Sequence, residues 1–272
     1  MLDSQTSYRR LFGTALVAVI LSALFFAAVV ASQLTSDGAG QRILGRAVAV
    51  ITEIDATLPD IQADLQQAAQ ESTAAEVRVP NFPISIDLPR GEALEMEGAV
   101  LRARLLDEAA ARIYDDGMSA WADGDPDAEQ AISRISSAGV LRGGLGLIKD
   151  SNHTFFLGAA IVLGLLAAVP VVLLTFSLRS YAWMVALGVV VLAAAFPSLA
   201  LAIVLRYGIG TVGADGDPFV MGLVSLADDA MWVPVRDYLA LSALGLAVIA
   251  VGVLAFLWPG RAIGEADRFR SA

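Results

Sequence analysis

Four stretches of the chain, residues 11–32, 154–177, 181–205 and 238–258, contain no Asp, Glu, Lys, Arg or His. A helix rises about 1.5 Å per residue, so roughly 20 apolar residues cross the hydrocarbon core of about 30 Å. All four stretches are long enough. No water reaches backbone groups inside lipid, so each must be satisfied within its own segment, and the four are expected to be transmembrane helices. Core helices of soluble proteins rarely run twenty residues without a charge.

The polar segments carry different periods. From Leu44 the apolar positions are Leu44, Ala47, Ile51, Ile54, Leu58, Ile61, Leu65 and Ala68, spaced three and four apart. This is a seam along one helix face, and Pro59 is expected to kink or break the helix near Thr57 or Leu58. A second seam runs Met96, Ala99, Ala103, Leu106, Ala110, Ile113. Between them, Phe82, Ile84, Ile86 and Leu88 alternate with polar residues or proline, which predicts an extended segment with one apolar face. Pro80, Pro83 and Pro89 keep it from being a central strand. It is expected to pack on the bundle as a connector, or else to offer an edge to a partner strand. A third helix is expected from Pro126, with Asp125 as N-cap and Ile132 and Ile135 buried. Residues 219–231 form an apolar pattern with a narrow polar face of Ser225, Asp228 and Asp229. Helices that lie on anionic lipid carry lysine or arginine there, so this one is expected to dock on the span ends or under the large domain.

The expected fold class is therefore an all-α integral membrane protein: four transmembrane helices with an extracytoplasmic helical-hairpin or bundle domain between spans one and two. The segments are 1–10 (cytoplasmic), 11–32 (span one), 33–153 (extracytoplasmic domain), 154–177 (span two), 178–180 (cytoplasmic link), 181–205 (span three), 206–237 (extracytoplasmic loop with the short amphipathic helix), 238–258 (span four) and 259–272 (cytoplasmic tail).

Charge sets the orientation. Arg9, Arg10, Arg179, Arg261, Arg268 and Arg270 flank the spans on one side, where only Asp3, Glu265 and Asp267 oppose them. Cytoplasmic flanks are enriched in Lys and Arg, so both termini are expected in the cytoplasm. Segment 33–153 holds 20 acidic and 10 basic residues, and 206–237 holds 5 and 2. With the cytoplasmic balance of +3 these give 3 − 10 − 3 = −10, the formal charge of the chain. Span one is expected to be an uncleaved anchor, because it exceeds the roughly 7–15 apolar residues of a signal peptide; Arg9-Arg10-Leu11-Phe12 is a simple inside flank rather than an export signal. Lys149 is the single lysine beside 17 arginines, a bias that points to a prokaryotic source, and the expected location is the cell membrane.

Candidate chemistry is sparse. With no cysteine there is no disulfide, thiolate chemistry or Cys-ligated metal. His153 is the single histidine, placed at the start of span two. Ala-Asp-Gly-Asp-Pro occurs at 122–126 and 214–218, where Asp125 and Asp217 read as N-caps. Asp123, Asp125 and Asp127 resemble the start of a calcium loop, but Ala128 stands where its glycine belongs and Arg134 where its glutamate belongs. Phosphate-binding loops, zinc-protease motifs and nucleophile elbows are all missing. No catalytic, cofactor-binding or metal residue is assigned, and no enzyme activity is expected. Small residues recur at Ala160, Gly164, Ala168 and at Ala194, Ser198, Ala202, where helix backbones are expected to approach; Pro170 and Pro197 are expected to kink the same pair. The loop order is similar to that of ABC-family permeases, but the link at 178–180 leaves no room for their coupling helix. It is also similar to the claudin plan, without its outer cysteine pair.

The expected function is a non-enzymatic scaffold or accessory subunit. Its partners are the lipid bilayer and a protein on the extracytoplasmic side, with self-association and without nucleic acid. The alternative is a channel or carrier subunit for a neutral or lipophilic solute.

Overall fold

The long charge-free stretches become helices that run past their apolar limits. The computed structural model describes residues 2–117, 120, 146–178, 181–212 and 218–257. Helix α1 is Leu2–Leu34. A helical region follows: α2 (Asp37–Ile51), α3 (Ile54–Glu71), strands β1 (Glu76–Arg78) and β2 (Asp87–Pro89), α4 (Arg90–Glu95) and α5 (Gly98–Asp116). Three long helices complete the chain: α6 (Asp150–Ser177), α7 (Ala182–Val212) and α8 (Pro218–Leu257). Four of these, α1, α6, α7 and α8, are long and apolar enough to cross a membrane. The chain is a multi-pass membrane protein with a predominantly helical fold.

Two compact units share the chain. One comprises residues 1–30, 156–208 and 231–272; the other comprises 31–155 and 209–230. In the first, the spans pack through small residues. A Cβ on Gly188 would lie 2.7 Å from the Gly245 carbonyl oxygen, so α7 and α8 touch backbone to backbone, and Gly252 lies against the side chains of Val185 and Met184. On α6 the buried row is Ala160, Ala167, Pro170 and Leu174, with Gly164 against Phe25 of α1. Ala168, expected in this row, faces outward instead. A constant step of four overshoots the helical repeat of about 3.6 residues, so the contact row moves to Ala167. Pro170 and Pro197 both lie inside continuous helices. The Arg206 guanidinium sits 4.9 Å above the Trp232 ring, and Arg236 pairs with Asp237 at 3.1 Å. Large side chains such as Leu165 and Phe176 remain exposed, as lipid-facing positions do.

In the second unit one hydrophobic core joins α2, α3, the β1–β2 hairpin and α5. The first seam lies as its spacing indicates: Leu44, Ala47, Ile54, Ile61 and Leu65 are buried, while Ile51, Leu58 and Ala68 pack partly against them. The break falls earlier than expected, at Thr52 and Glu53, where Glu53 takes the left-handed conformation (φ 45°). The Thr52 hydroxyl and amide both bond the Val48 carbonyl and end α2 there. Pro59 lies in the second turn of α3, where it removes one amide donor, and the helix continues through it to Glu71.

The second seam is corrected. Ala99 and Ala103 are exposed, and the core face is Leu101, Leu105, Leu106, Ala109, Ala110 and Ile113. Turning the helix this way buries two more leucines, each worth about 1.5–3 kcal/mol, in place of two alanines. Phe82, Ile84, Ile86 and Leu88 are all buried, as their alternation indicates. The end of this segment is more than a bare connector, because β2 pairs antiparallel with β1, Val77 opposite Leu88.

Residues 219–231 and span four are a single helix of 40 residues rather than two elements. At about 1.5 Å per residue it is roughly 60 Å long, twice the hydrocarbon thickness. Its residues up to Ala230 belong to the second unit and those from Met231 to the first. Pro234 costs this helix one amide donor without ending it. The expected helix at Pro126, with Asp123, Asp125, Asp127, Ile132 and Ile135, lies outside the described residues, as do Asp217 and the 178–180 link apart from Leu178.

Candidate functional site

The break between α2 and α3 shapes one wall of a groove. Leaving α2, the chain turns at Glu53 and starts α3 with Asp55 in its first turn. Arg46 lies on α2 and Arg102 on α5. The opposite wall is the start of α8, which presents Gly222, Ser225, Leu226 and Asp229. These four positions are spaced three, one and three apart, so they share one helix face. Together the walls bound an open cavity of about 700 Å³ within the second unit, in the range of about 300–1,000 Å³ typical of ligand pockets.

Two ion pairs organise it. Arg102 holds Asp55 with both arms of its fork, Nε to Oδ1 at 2.6 Å and Nη2 to Oδ2 at 3.2 Å. These hydrogen bonds hold the Asp55 carboxyl below the usual range, with desolvation opposing them and the Arg102 charge reinforcing them. A depressed carboxylate contributes stability above its unfolded value, about pH 4 for Asp, and the contribution fades as pH falls through the folded value. Asp55 is exposed, so this contribution is small. Arg46 pairs with Asp229, 183 positions away in sequence. Glu53 lines the same groove, and its carboxylate has no side-chain partner among the described residues. Three carboxylates thus face two guanidinium groups, and the unmatched charge is negative.

Sequence reasoning placed Ser225 and Asp229 on a polar face and expected that face to dock. Leu226 is buried in the core of the helical unit, which assigns the docking to that unit. Arg46, Glu53, Asp55 and Arg102 carried no sequence signal. Their partners are far apart along the chain, and no spacing rule joins them. Gly245 and Gly252, seven residues apart in span four, are the sequence signal of that close packing.

His153 and Asn152 have structural duties. His153 Nδ1 donates to the Ser32 carbonyl at 2.9 Å, satisfying one of the last four carbonyls of α1. Thr35 and Ser36 satisfy two others, those of Ala31 and Gln33. Asn152 donates to the Leu147 carbonyl at 3.0 Å. Tyr114, buried on α5, donates to the Thr35 carbonyl at 2.9 Å. Burial first, then the charges of Asp150, Asp37 and Asp115, push its phenol above the ordinary value, so it acts as a neutral donor. Among the described residues, no three Asp, Glu or His side chains gather to hold a metal ion.

Neither a protein-family model, a curated protein nor a solved structure matches the chain.

Proposed function

We propose that this protein is a non-enzymatic scaffold or accessory subunit of the prokaryotic cell membrane, with both termini in the cytoplasm and the helical unit on the extracytoplasmic side. That unit binds a partner protein, and the groove at the α2–α3 break is where it does so. The observation that carries the reading is the groove itself: a sizeable cavity whose wall holds two guanidinium–carboxylate pairs and one unmatched carboxylate, Glu53. An unmatched negative charge beside Ala49, Val50, Ala56 and Leu226 suits a basic side chain with an aliphatic stem.

A channel or carrier role draws support from Pro170 and Pro197 and from spans that carry no charge. A cavity among the spans, lined by Val171, Leu174, Trp183 and Val190, encloses about 10 Å³, room for at most about one water. In this reading the solute path forms between copies of the chain.

The test is affinity purification of the full chain from its own membrane in mild detergent. A reproducible partner or a homo-oligomer is expected, and Arg102→Ala or Glu53→Gln should lower recovery of the partner by about tenfold, as loss of a central charged contact does. Glu71→Gln, outside the groove, should leave recovery unchanged. A strictly monomeric, partnerless protein that still restores the phenotype of its deletion would reject the reading.

A further inference from the structure

The β1–β2 hairpin has two outer edges, and the sequence treats them differently. The Val79 amide donates to the Ile86 carbonyl at 2.9 Å, and the Arg90 amide to the Ala75 carbonyl at 2.9 Å. Residues 75, 77 and 79 therefore turn their backbone groups toward β2, and by the alternation of a strand Glu76 and Arg78 turn theirs away. Both residues are exposed, on either side of buried Val77. Among the described residues, no hydrogen bond reaches the backbone N–H or C=O of Glu76 or Arg78. On β2 the groups turned away from β1 belong to Asp87 and Pro89, and Pro89 has no N–H to give. Proline blocks an outer strand against further pairing. The outer edge of β1 meets no such block before Pro80.

We propose that this edge joins two copies of the chain, β1 against β1, antiparallel and centred on Val77. In that register Glu76 stands opposite Arg78 of the second copy, and Arg78 opposite its Glu76. The outward N–H and C=O groups of each such pair face one another, so each pair exchanges both of its backbone hydrogen bonds. Opposite charges directly across a ladder stabilise it, and like charges destabilise it. The order Glu-Val-Arg is thus its own complement when reversed, and the contact closes as an isologous dimer. Centring the pairing on Glu76 or on Arg78 instead sets acid against acid or base against base, which disfavours either slip. Arg78 also donates to Ser85 Oγ, and a guanidinium has further N–H groups for the second copy. The contact is short, and the spans hold both copies in one bilayer, which raises their effective concentration. None of these residues lines the groove, so the dimer goes beyond the partner reading and is independent of it.

Cysteine substitution in the cysteine-free chain tests the register. At the axis the two Val77 residues form a non-hydrogen-bonded pair, with Cα atoms about 4.5 Å apart and within disulfide reach. Val77→Cys in the full chain, oxidised in its own membrane, should give a covalent dimer. Thr73 is exposed but lies away from the axis. Thr73→Cys should therefore cross-link at least about tenfold more slowly, because its two copies are out of disulfide reach. Chance encounters would favour the exposed thiol and reverse that order.

Adding Glu76→Arg or Arg78→Glu to the Val77→Cys chain should slow cross-linking at least about fourfold, since both attractive pairs become repulsive. The decisive arm mixes the two. A Glu76→Arg chain and a differently tagged Arg78→Glu chain set arginine against glutamate at each outer position. Together they should cross-link at the rate of the Val77→Cys parent. That rescue acts between chains and shows that each variant folds. Glu53→Gln should leave the cross-link unchanged, which separates this edge from the groove. Equal rates for Thr73→Cys and Val77→Cys, no slowing in the single charge variants, or no rescue on mixing would overturn the self-pairing edge.

Discussion

Replacing Leu105 with alanine should lower the stability of the helical unit by about 2–5 kcal/mol. Leu105 has no solvent exposure and lies on the α5 face that also buries Leu101 and Ala109. Truncation removes buried methyl groups and leaves a cavity that the neighbouring α2, α3 and hairpin side chains fill only in part. Hydrogen exchange of the β1–β2 amides in the full chain measures it, because those amides are protected by the same core. At about 1.36 kcal/mol per factor of ten, protection should fall roughly 30-fold or more. Ala103→Ser is the informative control. The seam starting at Met96 makes Ala103 a core position, but it is exposed, so the change should stay within about 0.5 kcal/mol. A large effect at Ala103 and none at Leu105 would restore the seam and reject the observed face.

The second large effect is expected in the spans. Gly188→Leu places a side chain where even a Cβ would lie 2.7 Å from the Gly245 carbonyl oxygen and 2.7 Å from Ile249 Cγ1. A backbone neighbour cannot swing aside as a flexible side chain can, so α7 and α8 must separate. Over-packing of this kind costs about 1–3 kcal/mol, and more where the backbone must move. Detergent-purified protein should aggregate at a clearly lower temperature or lose its monodisperse peak in size-exclusion chromatography. Gly208→Ala, where nothing lies within 4 Å of the added carbon, should behave as the parent. If Gly188→Leu is as stable as Gly208→Ala, the two helices do not pack through these glycines.

The spans were legible because a run without charge has one solution in lipid. Their ends were less so, since helices do not stop where hydrophobicity stops. The 40-residue α8 reads in sequence as two elements because its leading part wears an acidic face, yet nothing from Trp232 to Asp237 breaks the helix. On α2 and α3 the spacing from Leu44 to Leu65 was enough. On α5 two rows fit a spacing of three and four, and the choice between Ala103 and Leu105 depends on what stands opposite. The segment Phe82–Leu88 showed its period, while β1 around Val77 is too short to show one. The groove was invisible for a different reason. Arg46 and Asp229, or Arg102 and Asp55, acquire their relationship only when the chain folds, and lone charges on helices read as solvated faces.

The central claim is a membrane protein whose helical unit, with its groove, faces outward. Single cysteines in the cysteine-free chain test it directly with an impermeant maleimide on intact cells. Ser72→Cys, at the C-cap of α3, and Ser225→Cys, in the groove, should be labelled in sealed cells. Ser4→Cys, Ser180→Cys and Ser271→Cys should stay silent until the membrane is opened, as the flanking arginines require. Labelling of Ser180→Cys in sealed cells together with protection of Ser72→Cys would place the groove in the cytoplasm and contradict the account.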